Sequence, residues 1–273
     1  MTAACETPAT SGLRHEVSGA GDQTIVLIHE LGGSLESWDG VVPRLAPFAT
    51  VLRYDQRGAG RSDRPKAPVS LDRHVADLGE LVHALDLPRP LHLVAGAAGA
   101  LIALDFADRH PHDVASLVLC APAIGADARR RAYLLERAEA CLAGGMDAIA
   151  DAALERSFPV ALRGDGQRFA RYRERFIGND PASYAAANRL LAAADLDHAV
   201  AGLDSPCLVL AGTMDSLRPA DELRVLAARF RHGRFATVDG GHLMAVQAPD
   251  AVAGHVEAFV AAHGQAARPA RGS

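Results

Sequence analysis

Asp215 and His242 each stand just past a short apolar run, Cys207–Ala211 and Arg234–Val238, in the segments Gly212-Thr-Met-Asp215 and Gly240-Gly-His242. A histidine held by a carboxylate can take a proton and return it, because the carboxylate fixes the imidazole tautomer and stabilises the imidazolium. Upstream, Leu91–Gly96 reads as an apolar strand that runs through a small-residue turn into a helix, with Ala97 on the turn. A serine on such a turn is a nucleophile. An alanine cannot attack a carbonyl. A third group, Glu30, opens the glycine-rich stretch Glu30-Leu-Gly-Gly-Ser34. Its carboxylate either faces the same site as an acid or base, or points to solvent or an arginine. Ser34 in that stretch reads as the cap of the helix behind it rather than as a substitute nucleophile. His15, His74, His83, His92, His110 and His112 have no comparable setting and read as solvated or structural.

These groups need a scaffold, and alternating elements supply one. Strands are expected near Leu13–Val17, Thr24–His29, Ala49–Asp55, the run before Ala97, Val114–Cys120, Cys207–Ala211 and Arg234–Val238. Helices are expected at Leu35–Leu45, Leu71–Leu85 (apolar at Leu71, Val75, Leu78, Leu81 and Val82), Ala220–Phe230 and Pro249–His263. Apolar strands alternating with helices predict an α/β fold, a mostly parallel sheet covered on both faces. Between Ala123 and Asp197 the pattern is helical only, at Ala128–Ala143, Met146–Glu155, Gln167–Ile177 and Pro181–Ala194. The expected division is a core of residues 13–122 and 198–263, an all-helical cap over 123–197, and flexible termini at 1–12 and 264–273.

Composition narrows the function. The 273 residues are 49% hydrophobic with a net charge of −5, and Lys66 is the single lysine. No basic run suits nucleic acid, and no apolar run approaches the ~18 residues of a membrane helix. Met1 to Gly12 lacks the pattern of a secretory signal. Cys5, Cys120, Cys141 and Cys207 show no paired spacing and read as reduced thiols of a cytoplasmic protein. No metal-ligand spacing or phosphate loop is present, so no cofactor is expected.

Several segments together resemble the α/β-hydrolases. Ile25-Val-Leu-Ile-His-Glu-Leu-Gly-Gly-Ser34 is similar to the family's strand and oxyanion loop, and Tyr54-Asp-Gln-Arg-Gly-Ala-Gly-Arg-Ser62 to its next strand and turn. Ala95-Gly-Ala-Ala-Gly99 stands where the G-x-S-x-G elbow belongs, its first glycine replaced by alanine, its last kept, and Ala97 at the serine position. Asp215 and His242 follow in the family's order. The resemblance covers roughly residues 13–263 and implies His242 as base, Asp215 as its orienting acid, and the backbone N–H groups of Leu31 and Ala98 as the oxyanion hole. Arg57 reads as a structural tie. Within the superfamily, the insertion and the segment Asn179-Asp-Pro-Ala-Ser-Tyr-Ala-Ala-Ala-Asn188 are similar to the 3-oxoadipate enol-lactonases. That implies a small lactone, ester or 3-oxo acid bearing a carboxylate, which one or two of the arginines Arg129, Arg130, Arg131, Arg137, Arg168, Arg171, Arg173 and Arg175 would bind.

Three readings of Ala97 stay open. The first is an enzyme that works without a serine: the plant methylketone synthases of this fold also carry alanine there and decarboxylate 3-oxo acids. The second is a non-catalytic binder, as in the hormone receptors of this fold. The third is an engineered removal of the nucleophile from an ordinary serine hydrolase.

Overall fold

In the computed structural model, which describes residues 12–164 and 166–264, the apolar runs form seven strands. They are β1 (His15–Ser18), β2 (Thr24–Ile28), β3 (Thr50–Tyr54), β4 (Leu91–Gly96), β5 (Val114–Cys120), β6 (Cys207–Gly212) and β7 (Gly233–Val238). All join one sheet in the order β1-β3-β2-β4-β5-β6-β7. β1 runs antiparallel to β3 and every other pairing is parallel. β2, β4 and β6 are buried along their whole length, which is why they are written as continuous apolar runs rather than alternating ones. β3 and β4 flank β2 on opposite sides, so the connections diverge beyond the carboxyl ends of β2 and β4. Open α/β sheets bind ligands in the crevice this creates.

The helices are α1 (Val42–Leu45), α2 (Leu71–Ala84), α3 (Gly99–Arg109), α4 (Ala128–Gly144), α5 (Asp147–Ser157), α6 (Gln167–Ile177), α7 (Pro181–Ala193), α8 (Asp197–Gly202), α9 (Ala220–Ala227), α10 (Met244–Gln247) and α11 (Pro249–His263). The helix expected over Leu35–Leu45 is two pieces, a 3-10 turn at Leu35–Trp38 and then α1. Pro43 has no N–H to continue the earlier turn and is suited to begin a new one. Ser34 precedes the 3-10 turn without capping it: its hydroxyl is buried and makes no capping hydrogen bond. The short helices α8 and α10 were not expected.

Between β5 and β6 the chain makes α4 to α7, with side-chain caps from Asp127 on Arg130 N (2.7 Å) and Asp180 on Ser183 N (2.8 Å). α4 packs along α7. Cys141, Leu154, Phe158, Tyr172, Phe176 and Tyr184 form a separate apolar cluster that also takes in Leu243 and Val246 beside His242. The two ends of this excursion lie side by side. Gly125 and Asp195 form an antiparallel bridge, and Leu196 N donates to Ile124 O at 3.1 Å. Cys120, Cys141 and Cys207 are free and buried, while Cys5 and the terminal stretches 1–11 and 265–273 lie outside the described residues. No described helix is long and apolar enough to cross a membrane.

Candidate active site

β4 delivers the chain to Ala97, whose φ of +42° is left-handed, a region costing an L-residue about 1–2 kcal/mol. Its surroundings hold it there. Ala97 N donates to Cys120 O at 2.8 Å, and Ala97 O accepts from Ala123 N at 3.1 Å. Two residues on, α3 passes so close to β2 that a Cβ on Gly99 would lie 2.6 Å from His29 O. The sharp turn of a nucleophile-bearing elbow is therefore intact around a methyl group.

β6 and β7 bring the next pair together. His242 Nδ1 lies 2.9 Å from Asp215 Oδ2, and the Asp215 side chain is fully buried. Its other oxygen accepts from Leu217 N (2.8 Å) and Arg218 N (3.0 Å), so both oxygens have partners. The loops are tied by Thr213 N to Val238 O and Met214 N to Gly240 O, each 2.9 Å.

The loop after β2 contributes Glu30 and Leu31. His29 is committed to shaping it: Nδ1 meets Glu30 O at 2.8 Å, and Nε2 accepts from Gln56 N at 3.0 Å. Glu30 turns inward, 6% exposed, and Oε1 accepts from Ser37 Oγ and Tyr172 Oη, each at 2.8 Å. This inward pose calls for glycine at 33, where a Cβ would lie 2.2 Å from that oxygen. Glu30 thus belongs to the site, neither in solvent nor on an arginine. Burial and then the nearby Glu30 charge raise the Tyr172 hydroxyl well above its ordinary pKa. The same two causes, in the same order, push the Cys120 thiol up to about 12. The N–H groups of Leu31 and Ala98 donate to no protein acceptor among the described residues.

Glu30, Leu31, Ala97, Ala98, Tyr172 and His242 line one cavity of about 700 Å³ between the sheet and α4 to α7, with Asp215 outside the lining behind His242. Arg129, Arg130 and Arg137 line it as well, joined by Arg156 from α5. Arg130 pairs with Asp127 and Glu222, and Arg137 Nε donates to Asn188 Oδ1 at 2.7 Å. Arg168 and Arg173 are engaged elsewhere, with Gln247 O and Asp151. Arg131, Arg171 and Arg175 do not line the cavity. Arg57 is held by Asp77 through Nε (2.8 Å) and Nη2 (2.6 Å), away from the cavity. His15 and His92 are buried on Leu13 O and Ser116 Oγ. Ser34 is not in the lining. Lining residues that the sequence did not point to include Tyr172 on α6, Arg156 on α5 and Arg218 just past Asp215. Tyr172 carries a legible sign, an aromatic on the apolar stripe of a helix otherwise rich in arginine. No cluster of three or more His, Cys, Asp or Glu side chains suited to a metal occurs among the described residues.

A profile of the alpha/beta hydrolase fold matches residues 23–249. The chain belongs to the α/β-hydrolase fold family. This α/β-hydrolase is 30% identical over 233 residues to the protein named carbamate hydrolase RutD of Pantoea ananatis, covering 84% of each chain. Among solved structures it resembles the enol-lactonase from Burkholderia xenovorans, with a TM-score of 0.87, 28% identity, and 94% and 100% of the two chains covered. A hydrolase from Pseudomonas aeruginosa superposes with a TM-score of 0.85 at 28% identity, covering 94% and 98%.

Proposed function

We propose that this α/β-hydrolase is an enzyme that acts on a small carboxylate-bearing carbonyl compound without a serine. The observation that carries the reading is the His242–Asp215 contact at 2.9 Å on the wall of a cavity that also contains Ala97 and the unpaired N–H groups of Leu31 and Ala98. His242 is the base, Asp215 orients it, and the two N–H groups form the oxyanion hole. Ala97 leaves the position of the nucleophile to water or to no nucleophile at all. With a lactone or ester, His242 takes a proton from water as the hydroxide oxygen bonds to the carbonyl carbon. The displaced electron pair rests on the oxygen in the hole, and its return expels the alkoxide or enolate, which takes the proton from His242. With a 3-oxo acid bound as its carboxylate, the C–C bond breaks to release CO₂, the electron pair moves onto the ketone oxygen as an enolate, and His242, which has taken up a proton from solvent, gives that proton to carbon. Glu30 is a second carboxylate on the same wall, able to act as a base. The five cavity arginines and the similarity to an enol-lactonase support an anionic substrate, and the unpaired, buried thiols fit a reducing compartment, the cytoplasm.

The test compares wild type, Ala97→Ser and His242→Ala on p-nitrophenyl esters, enol-lactones and 3-oxo acids, following ester release and CO₂. Wild type is expected to turn over a lactone or a 3-oxo acid, with His242→Ala lowering the rate by roughly 10²–10⁴. Activity confined to Ala97→Ser would overturn the proposal and leave a ligand-binding protein or a disabled hydrolase.

A further inference from the structure

Arg218 lies three residues beyond Asp215, and its own N–H is one of the two that hold the Asp215 carboxylate. The residue is 9% exposed and lines the cavity. Its Nε is buried without a hydrogen-bond partner, and no carboxylate lies within ion-pair distance of its guanidinium among the described residues. The other cavity arginines differ. Arg130 is neutralised by Asp127 and Glu222, Arg137 is held by Asn188, and Arg129 and Arg156 are exposed to water. Burial, and then the neighbouring Arg130 charge, lower the Arg218 pKa, with Glu222, Asp215 and Asp127 offsetting them only in part. A guanidinium has five N–H donors in a planar fork and does not shed its proton. Buried without an anion it destabilises the protein, and an arriving anion removes that penalty while matching the fork with two parallel hydrogen bonds.

We infer that Arg218 is the anchor for the carboxylate of the cavity's ligand, gripping it in a two-point contact beside the His242–Asp215 pair. The inference rests on the proposed reading of the cavity as a substrate site and names the residue that recognises the substrate's charge. It also sets the order of the ligand, with its carboxylate on the Arg218 side and its reactive carbonyl toward Ala97. The carboxylate of Glu30, on the same wall as Ala97, disfavours the reverse orientation by like-charge repulsion. Arg218 also borders a smaller cleft lined by Asp127, Asp197 and Arg229, so the test must locate the ligand as well as detect it.

The probes are 4-oxopentanoate, which carries a ketone and a carboxylate, and its methyl ester, which keeps the ketone and loses the charge. Binding to wild type, Arg218→Gln and Arg218→Lys is measured by calorimetry, and the His242 ring protons are followed by NMR as a reporter of the larger cavity. Wild type is expected to prefer the acid over the ester by about tenfold or more. Arg218→Gln should lose that preference, Arg218→Lys should recover part of it, and the acid should shift the His242 signals of wild type. Thermal unfolding of both variants, with Arg218→Met as an alternative replacement should Arg218→Gln misfold, verifies that the fold survives. Equal binding of acid and ester by wild type, no binding of either, an undiminished preference in Arg218→Gln, or binding that leaves His242 unshifted would each overturn the assignment. Because no turnover is needed, an absence of turnover on the esters, lactones and 3-oxo acids would refute the enzymatic reading and leave the anchor standing. Catalysis without a role for Arg218 would do the reverse.

Discussion

Arg57 and Arg218 are both guanidiniums drawn in from solvent just beyond a strand, one after β3 and the other after β6, yet the protein treats them in opposite ways. Arg57 meets Asp77 through two hydrogen bonds, and this contact raises its pKa. Arg218 has a buried Nε without a partner and no acid within ion-pair distance among the described residues, and burial, then the Arg130 charge, lowers its pKa. A buried ion with its counter-ion in the same chain is part of the scaffold. A buried ion without one leaves its charge to be met from outside the chain. The contrast separates architecture from recognition without reference to the chemistry at Ala97.

The contrast makes predictions of decreasing size. Asp77→Asn should cost about 3–5 kcal/mol in denaturant unfolding, since it removes the buried carboxylate that meets both Arg57 and Arg73. A loss below about 1 kcal/mol would show that Arg57 is not scaffold in this sense. Acid should weaken the same region through His74, which faces Asp77 and is held down to about 4 by burial from an ordinary 6.5. His92, buried on Ser116, is held down to about 4 for the same first reason. As pH falls below 6.5 the unfolded chain takes up these protons before the folded one does. Stability should therefore fall between about pH 6.5 and 4 by up to about 1.4 kcal/mol per histidine per pH unit, and these two groups should contribute no slope above that window. Unfolding curves at pH 7, 6 and 5 check this, and His92→Asn should flatten the slope. The smallest effect is expected at Arg218: Arg218→Met should leave stability unchanged or raise it by about 1 kcal/mol, since the replaced charge has no partner to lose. A loss comparable to that of Asp77→Asn would erase the difference between the two arginines.

The same pair shows what a sequence discloses. Arg57 was legible as a structural tie because it sits in a recognisable turn, although its partner Asp77, 20 residues away on α2, was not. Arg218 carries no pattern of its own, because its burial is created jointly by the loop after β6 and the helical excursion. Asp215, His242 and Ala97 were legible because each follows a strand whose apolar run is unmistakable. Glu30 was ambiguous because its environment depends on Tyr172, 142 residues distant. The helix over Leu35–Leu45 was misjudged because its apolar spacing masked the break at Pro43, and α8 and α10 are too short to show a period. Ser34 had the residue type of a cap, and its hydroxyl was turned away by the fold.

The bridge between Gly125 and Asp195, with Leu196 N on Ile124 O, gives the helical excursion a closed base. Chain leaving the sheet and chain returning to it are pinned together before any helix of the excursion begins. What lies above that seam can change in length or sequence with only a slowly growing entropic cost, since loop closure depends logarithmically on length. The seam is therefore a natural splice point. An excursion exchanged between Ala126 and Ala194 would give the cavity a different roof while leaving the loops of Asp215 and His242 to the sheet that carries them. The roof of the cavity and the loops that hold Asp215 and His242 are thus encoded on separate stretches of the gene.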